Sequence, residues 1–469
     1  MLQKNDIIEL TVEGIASDGS GVARADGIAV FIPFAIPGDR VETRIVKVAK
    51  NCLYGIVERV ILPSPDRISP DCGAFGRCGG CVYRNADYSA ELKYKREKIA
   101  AAMKRIGGLD VEVPEVIGCA PSDRYRNKLM LPVGRDADGS PRCGLFARRS
   151  HRIVSCDDCL LQPKEFMEIA RFAFEKLMKS GVSAYDERTG KGLLRHIYIR
   201  QAPKSEELML CLVINGKGFD GEKEFALEVS EKFPQIKSVV LNINRSSGNI
   251  ILGEKCRTLC GSEHIFGSLR GVEMRISPLS FCQVNSEQCV RLYDVAEEFA
   301  GLDEETLLLD LYCGAGVIGL SMADKVKELV GVEIVAPAIE DAKYNAVKSG
   351  IKNARFICSD ASEAAERLLR EGKRPKVVIL DPPRAGCDRA LIDAVVGMAP
   401  ERIVYISCDV ATQARDLKIF AELGYKTEKL QGVDMFPRTA HVESVVCLSR
   451  EKADDYVRIS VHTKDLRKG

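Results

Sequence analysis

The sequence predicts an α/β protein whose C-terminal half is an open, largely parallel sheet, preceded by a small β-barrel and a mixed α+β middle section. Three observations carry this prediction. From about residue 290, short apolar runs (Leu307–Leu311, Leu329–Val332, Arg355–Cys358, Val377–Leu380, Ile403–Ile406) alternate with segments of helix length. Such alternation builds a parallel sheet with ligands beyond the carboxyl ends of its strands. Within residues 5–60, strand-like runs are separated by glycine turns; residues 66–265 interleave one helical run, Ala90–Ile106, with strands. A chain of 469 residues exceeds what one hydrophobic core supports. The expected division is 1–62, 63–265 and 266–451, with a polar tail over 452–469.

In the first section, Ile8–Val12, Ala29–Phe34, Asp39–Val48 and Tyr54–Ile61 read as strands, with turn chemistry at Gly19-Ser-Gly and Ala25-Asp-Gly. Five short strands of this kind fit a barrel of the oligonucleotide-binding type. The stretch Leu62-Pro-Ser-Pro-Asp-Arg reads as a linker. The middle section contributes His196–Arg200, Leu208–Ile214 and Ser238–Ile243 as strands, and His441–Leu448 is a late strand entering the C-terminal sheet.

Composition excludes several classes. No stretch approaches the roughly 18 apolar residues of a membrane span, and the first residues lack the apolar core of a signal peptide. The cytoplasm is therefore the expected compartment. Eighteen cysteines in so long a chain argue against a disulfide scaffold. Cys211, Cys358 and Cys447, inside strand-like runs, read as buried apolar residues. Net charge is +1, but residues 84–152 hold 15 Lys/Arg against 9 Asp/Glu. The clusters Lys93-Tyr-Lys-Arg, Arg124-Tyr-Arg-Asn-Lys and Arg148-Arg-Ser-His-Arg could neutralise phosphates, or form solvated helix and loop faces.

Four motifs carry chemistry. In Leu309-Asp-Leu-Tyr-Cys-Gly-Ala-Gly-Val-Ile-Gly a strand ends, Gly314 and Gly316 let backbone approach a ligand, and a helix begins. Glu333, ending the next strand, suits ribose hydroxyls; both features fit a dinucleotide site equally well. Asp381-Pro-Pro-Arg384 ends the fourth strand. Acid-Pro-Pro there is common in methyltransferases and foreign to nicotinamide enzymes, and Arg384 stands where enzymes that methylate exocyclic amines carry an aromatic residue. Ser407-Cys408-Asp409 ends the fifth strand; a cysteine there is ordinary packing unless it faces a reacting substrate as a thiolate. Glu443 is a carboxylate on a strand otherwise too apolar to need one. Finally, Cys72, Cys78 and Cys81, with Cys156 and Cys159 downstream, supply thiolates for zinc or an iron–sulfur cluster, which spacing does not separate.

Together these segments resemble the RumA/TrmA family of RNA uracil-5 methyltransferases over nearly the whole chain. Ser407-Cys408-Asp409 resembles its nucleophile motif, His441-Val442-Glu443 its base motif, and Phe281-Cys-Gln-Val-Asn the segment whose glutamine, here Gln283, contacts the cofactor. Tyr312, Glu333 and Asp381 fall on cofactor-binding positions, and Asp360, ending the third strand, is added to them. Val317 departs from members with a polar Asn there. The resemblance implies a Rossmann-like class I methyltransferase domain and S-adenosylmethionine as methyl donor. It also implies covalent addition of Cys408 to uracil C6, methyl transfer to C5, and proton removal by Glu443.

Members directed at ribosomal RNA share the cysteine spacing and bind a [4Fe–4S] cluster, which implies Cys72, Cys78, Cys81 and Cys159 as ligands rather than Cys156. The N-terminal barrel resembles the TRAM domain, an RNA-binding module. The tRNA-directed branch typically lacks both, so the expected partner is RNA, 23S rRNA first, without a membrane or an obligate protein partner. A tRNA uracil-5 methyltransferase and a non-catalytic RNA-binding factor are the alternatives. Cys408 and Glu443 speak against the latter, and Asp381-Pro-Pro against a nicotinamide oxidoreductase.

Overall fold

The computed structural model describes residues 2–136 and 138–450; the expected polar tail lies outside the described residues. In the N-terminal section, six short strands form one sheet. The first two, Ile7–Thr11 and Gly14–Ile15, are one bent strand: its first half pairs with Arg40–Val48 and its second with Gly21–Ala25. That double pairing closes the sheet into a barrel and removes its open edges. Alternating side chains fill the interior, among them Val12, Val30, Ile32, Val41 and Ile45. The proline-rich stretch read as a linker is pinned to this barrel. Buried Asp39 accepts Ser64 N at 3.0 Å and Arg67 Nε at 2.8 Å.

The middle sheet has the order Lys255–Gly261, Ile236–Ile243, Leu208–Ile214, Leu194–Gln201, Lys128–Arg135, Pro141–Cys143. Helices Lys164–Lys179 and Glu222–Lys232 cover one face. The other face, through Tyr198, Met209, Cys211 and Val240, joins the core of the C-terminal sheet.

That C-terminal sheet runs Ala354–Cys358, Glu328–Glu333, Leu307–Leu311, Val377–Leu380, Arg402–Ser407, Glu443–Arg450, Tyr425–Val433. The first five are parallel and the last two antiparallel. Central strands buried on both faces need apolar residues at every position, as Val377–Leu380 has. Strand order reverses between Leu307–Leu311 and Val377–Leu380, and such a switch point opens a crevice at the carboxyl ends.

Helix Tyr88–Ala102, with the π-turn Met103–Gly107 that extends it, packs on this sheet's outer layer, although the division at 63–265 assigns it to the middle section. Ile99, Met103, Val113 and Val116 share one core with Leu417 and Phe420. Of the cysteines read as buried, Cys211 and Cys447 are, but Cys358 is exposed because it ends an edge strand. Among the described residues no helix is long and apolar enough to cross a membrane.

Candidate active site

Two strands in fixed register build the centre. Arg402–Ser407 and Glu443–Arg450 are antiparallel, with Ser407 opposite Ser444. The next step along the same register sets Cys408 against Glu443. Asp381 and Arg384 follow the neighbouring strand Val377–Leu380, so acid, thiol and guanidinium converge at one sheet edge. Ser407 is fixed beneath them, its Oγ accepting Asp409 N at 3.1 Å.

The electrostatics follow from burial. Glu443 is only 4% exposed; desolvation, aided by the Asp381 charge and opposed by Arg384, pushes it up to about 8. Asp381, partly exposed but packed among apolar strand ends, is pushed up to about 7 by desolvation. The half-buried Cys408 thiol is raised by desolvation and by Glu443, and Arg384 pulls it back down. A carboxyl poised near neutrality can take and return a proton at physiological pH. The alternative acid, Asp409, is committed elsewhere: its carboxylate caps helix Val410–Glu422, accepting Ala411 N and Thr412 N.

All the expected cofactor residues but Gln283 stand at or just past the carboxyl ends of the parallel strands. Tyr312 leaves the first strand with φ 64°, followed by Gly314 at 56° and Gly316 at 78°. A side chain at Gly316 would be strained at that φ and crowded, since a Cβ would stand 3.0 Å from Phe356. Gly314 has nothing within 4 Å of that position, which leaves its backbone open to a ligand. Glu333 accepts Gly314 N at 3.2 Å and Val335 N at 2.9 Å, tying the turn to the second strand. Asp360 caps helix Ala361–Arg370 with one oxygen and keeps the other open. Gln283 lies in the irregular segment before helix Ser286–Ala300, its carbonyl held by Asn127 Nδ2 at 2.9 Å.

The cysteines form a second site. Cys72, Cys78, Cys81, Cys156 and Cys159 all line one cavity of about 60 Å³. Their sulfurs do not close on a single point; among the described residues no ligand set for a lone metal ion is formed. A cubane binds its thiolates at separate corners and needs no such convergence. Arg126 Nε and Gln162 Oε1, from residues on the same wall, are buried without partners. Burial raises Cys78, Cys81 and Cys159, Cys81 to about 12. Cys156 donates to the Asp158 carbonyl at 3.3 Å.

The profile of the tRNA (uracil-5-)-methyltransferase family matches residues 87–451, and that of the TRAM domain residues 2–57. The chain belongs to the tRNA (uracil-5-)-methyltransferase family. It is an S-adenosylmethionine-dependent RNA (uracil-5-)-methyltransferase with the class I fold and an N-terminal TRAM domain. It is 41% identical over 448 residues to an uncharacterized RNA methyltransferase of Halalkalibacterium halodurans, covering 95% of this chain and 98% of that one. A Clostridium tetani protein of the same description is 39% identical over 448 residues, 96% of this chain and 97% of its own. Among solved structures, the Pyrococcus abyssi tRNA (uracil-54, C5)-methyltransferase in complex with S-adenosyl-L-homocysteine matches with TM-score 0.74 and 28% identity. The match covers 94% of this chain and all of that one.

In this methyltransferase the loop that delivers Glu443 is clamped from several sides, which sequence reasoning missed. Fully buried Lys95 donates to Glu91 at 2.6 Å and Asp434 at 2.7 Å; Tyr88 donates to Asp434 at 2.8 Å. The Arg438 carbonyl accepts Val82 N at 2.8 Å and Tyr83 N at 3.3 Å, directly after Cys81, so the cysteine loop touches the loop bearing the base. Lys98 donates to the Ala440 carbonyl at 2.8 Å. Two ionisable residues, Asp434 and Arg438, just upstream of His441-Val-Glu443 were the available signal.

Much of the basic excess proves internal. Arg84 is buried between Asp71 and Asp123, Arg124 binds Asp158, and Arg148 binds Asp18. Lys93, by contrast, is exposed and forms no ion pair among the described residues.

Proposed function

We propose that this enzyme methylates C5 of a flipped-out uridine in 23S rRNA, with Cys408 as nucleophile and Glu443 as base. The observation that supports the reading is the Ser407–Ser444 register, whose next step carries Cys408 toward Glu443 beside the end of strand Val377–Leu380. Uracil C5 is a poor nucleophile. Addition of the Cys408 thiolate at C6 moves the ring electrons onto C5 and O4, and Arg384 favours that thiolate. S-adenosylmethionine, held by Gln283, Tyr312, Gly314, Gly316, Glu333, Asp360 and Asp381, supplies the methyl group that C5 accepts. Glu443 then takes the C5 proton, the C6–S bond breaks, and Cys408 leaves as thiolate. With its carboxyl pushed up to about 8, Glu443 takes the C5 proton from its carboxylate fraction, which grows as pH rises toward that value. Extrusion of the base lets side chains reach atoms hidden in a stack.

Cys72, Cys78, Cys81 and Cys159 would hold a [4Fe–4S] cluster whose role is structural and in RNA binding, not chemical. The TRAM barrel, the middle section and the catalytic sheet act as the units 1–62, 63–265 and 266–451, in the cytoplasm. A second reading, tRNA, is favoured by the Pyrococcus abyssi match, because a tRNA enzyme there spans 94% of this chain. Mass spectrometry of 23S rRNA and tRNA from cells with and without the protein separates them. Loss of one or more 5-methyluridines from 23S rRNA is the expected result; loss only from tRNA overturns the first reading in favour of the second.

A further inference from the structure

A second cavity lies behind the catalytic crevice, across the Gln283–Ser286 segment. Its volume of about 580 Å³ falls within the range of pockets that enclose small ligands. Asn127 lines it and donates from Nδ2 to the Gln283 carbonyl at 2.9 Å and to Ser286 Oγ at 2.8 Å. Helix Ser286–Ala300 divides the two sites. Its Cys289 and Tyr293 are buried on the side that feels the Asp381 charge, while Val290 and Arg291 open onto the cavity.

The cavity is cationic with an apolar floor. Lys204 and Arg291 on its wall form no ion pair among the described residues, nor does Arg126, which lies between this cavity and the cysteine cavity with its Nε buried and without a hydrogen-bond partner. A buried donor left unpaired is costly, so this shared side chain favours an acceptor at its side of the cavity. Asp123 and Arg124, also on the wall, are neutralised by Arg84 and Asp158, which leaves Glu287 as the one unpaired acid against three cations. Pro203, Leu269 and Val290 supply apolar surface, and Tyr125 an aromatic ring. Phosphate acceptors for the cations and a planar ring for the floor are the two halves of a nucleotide.

We propose that this cavity holds a second nucleotide of the substrate RNA, one that is not methylated, with its phosphate among Arg126, Lys204 and Arg291. The proposal rests on the reading of the chain as a methyltransferase acting on an extruded uridine. A strand anchored there reaches the crevice past Gln283–Ser286, so the cavity fixes which uridine is presented to Cys408.

The test uses the full-length enzyme, labelled S-adenosylmethionine, and total RNA from cells lacking the protein. Lys204→Glu and Arg291→Glu remove charge; Val290→Tyr fills the space and leaves charge unchanged. All three should raise the half-saturating RNA concentration about tenfold, with kcat and S-adenosylhomocysteine affinity kept. Only the charge variants should flatten the salt dependence, by about one unit or more of slope each. Wild-type half-saturation in Val290→Tyr, with weakening in the charge variants alone, overturns the proposal, since surface charge then suffices. Wild-type behaviour in all three overturns it as well. If the wild-type enzyme itself labels no RNA, the functional reading fails first and takes the cavity with it.

Discussion

At the crevice, two strands locked in register carry Cys408 and Glu443 to the same end of the sheet; in the cysteine cavity, five thiols arrive on loops that no ladder holds. A sheet positions side chains before any ligand binds. Loops need either a bound group or contacts from outside, and here the contacts are scattered: the Arg84 ion pairs, Gly79 N on the Phe146 carbonyl, Arg124 on Asp158 and the Cys159 carbonyl, and the two amides on the Arg438 carbonyl. The last of these joins the regions, since Arg438 lies in the loop that leads to Glu443. Preorganised chemistry thus sits next to a segment that would gain order from the proposed cluster.

The sharpest break in that comparison is removal of the proposed cluster. Anaerobically purified protein should carry about four iron and four sulfide per chain. Cys159→Ser should carry neither, and hydrogen exchange should rise at Val82, Tyr83 and the Arg438 loop while the parallel strands stay protected. Cys156→Ser should keep the cluster. Stoichiometric zinc without sulfide contradicts the assignment.

Next in size is the buried ion pair beneath the loop. Lys95→Met leaves Asp434 buried without a counter-ion and Glu91 with only Arg438 at 3.8 Å, and should destabilise by about 3–5 kcal/mol in denaturant unfolding. A loss below about 1 kcal/mol would mean the pair behaves as an exposed one.

Smaller, and confined to a pH window, is the effect of the base itself. Glu443 rises from 4.5 to about 8 on folding, so its contribution to stability is complete below pH 4.5 and is lost as pH rises to about 8. Glu443→Gln should therefore gain on wild type across that window, by up to about 1.4 kcal/mol per pH unit, and level off above it. A constant difference from pH 4.5 to 9 would show that Glu443 is not held protonated.

The comparison also explains what could be read beforehand. Strands Leu307–Leu311 and Val377–Leu380 were legible because burial on both faces demands unbroken apolar runs. Cys408 and Glu443 were legible because each interrupts such a run at a strand end. Helix Tyr88–Ala102 was legible as a helix, but not its place on the catalytic sheet, which depends on contacts more than 300 residues away in sequence, such as Lys95 with Asp434. Glu91 and Lys95 look like a solvated i,i+4 pair and are fully buried. Arg84, Arg124 and Arg148 look like a phosphate-binding surface and are held by Asp71, Asp158 and Asp18. Sequence shows a charge; it does not show the acid that neutralises it.

The most direct test of the catalytic assignment compares what Cys408→Ala and Glu443→Gln leave behind after incubation with substrate RNA and labelled S-adenosylmethionine. Removing the nucleophile should abolish both product and adduct. Removing the base should permit attack and methyl transfer and then stall, because the C6–S bond breaks only after the C5 proton is gone. Denaturing electrophoresis of Glu443→Gln should therefore show a protein–RNA adduct that carries the labelled methyl group. Turnover by Cys408→Ala would contradict covalent catalysis, and an inactive Glu443→Gln without adduct would take the role of base away from Glu443.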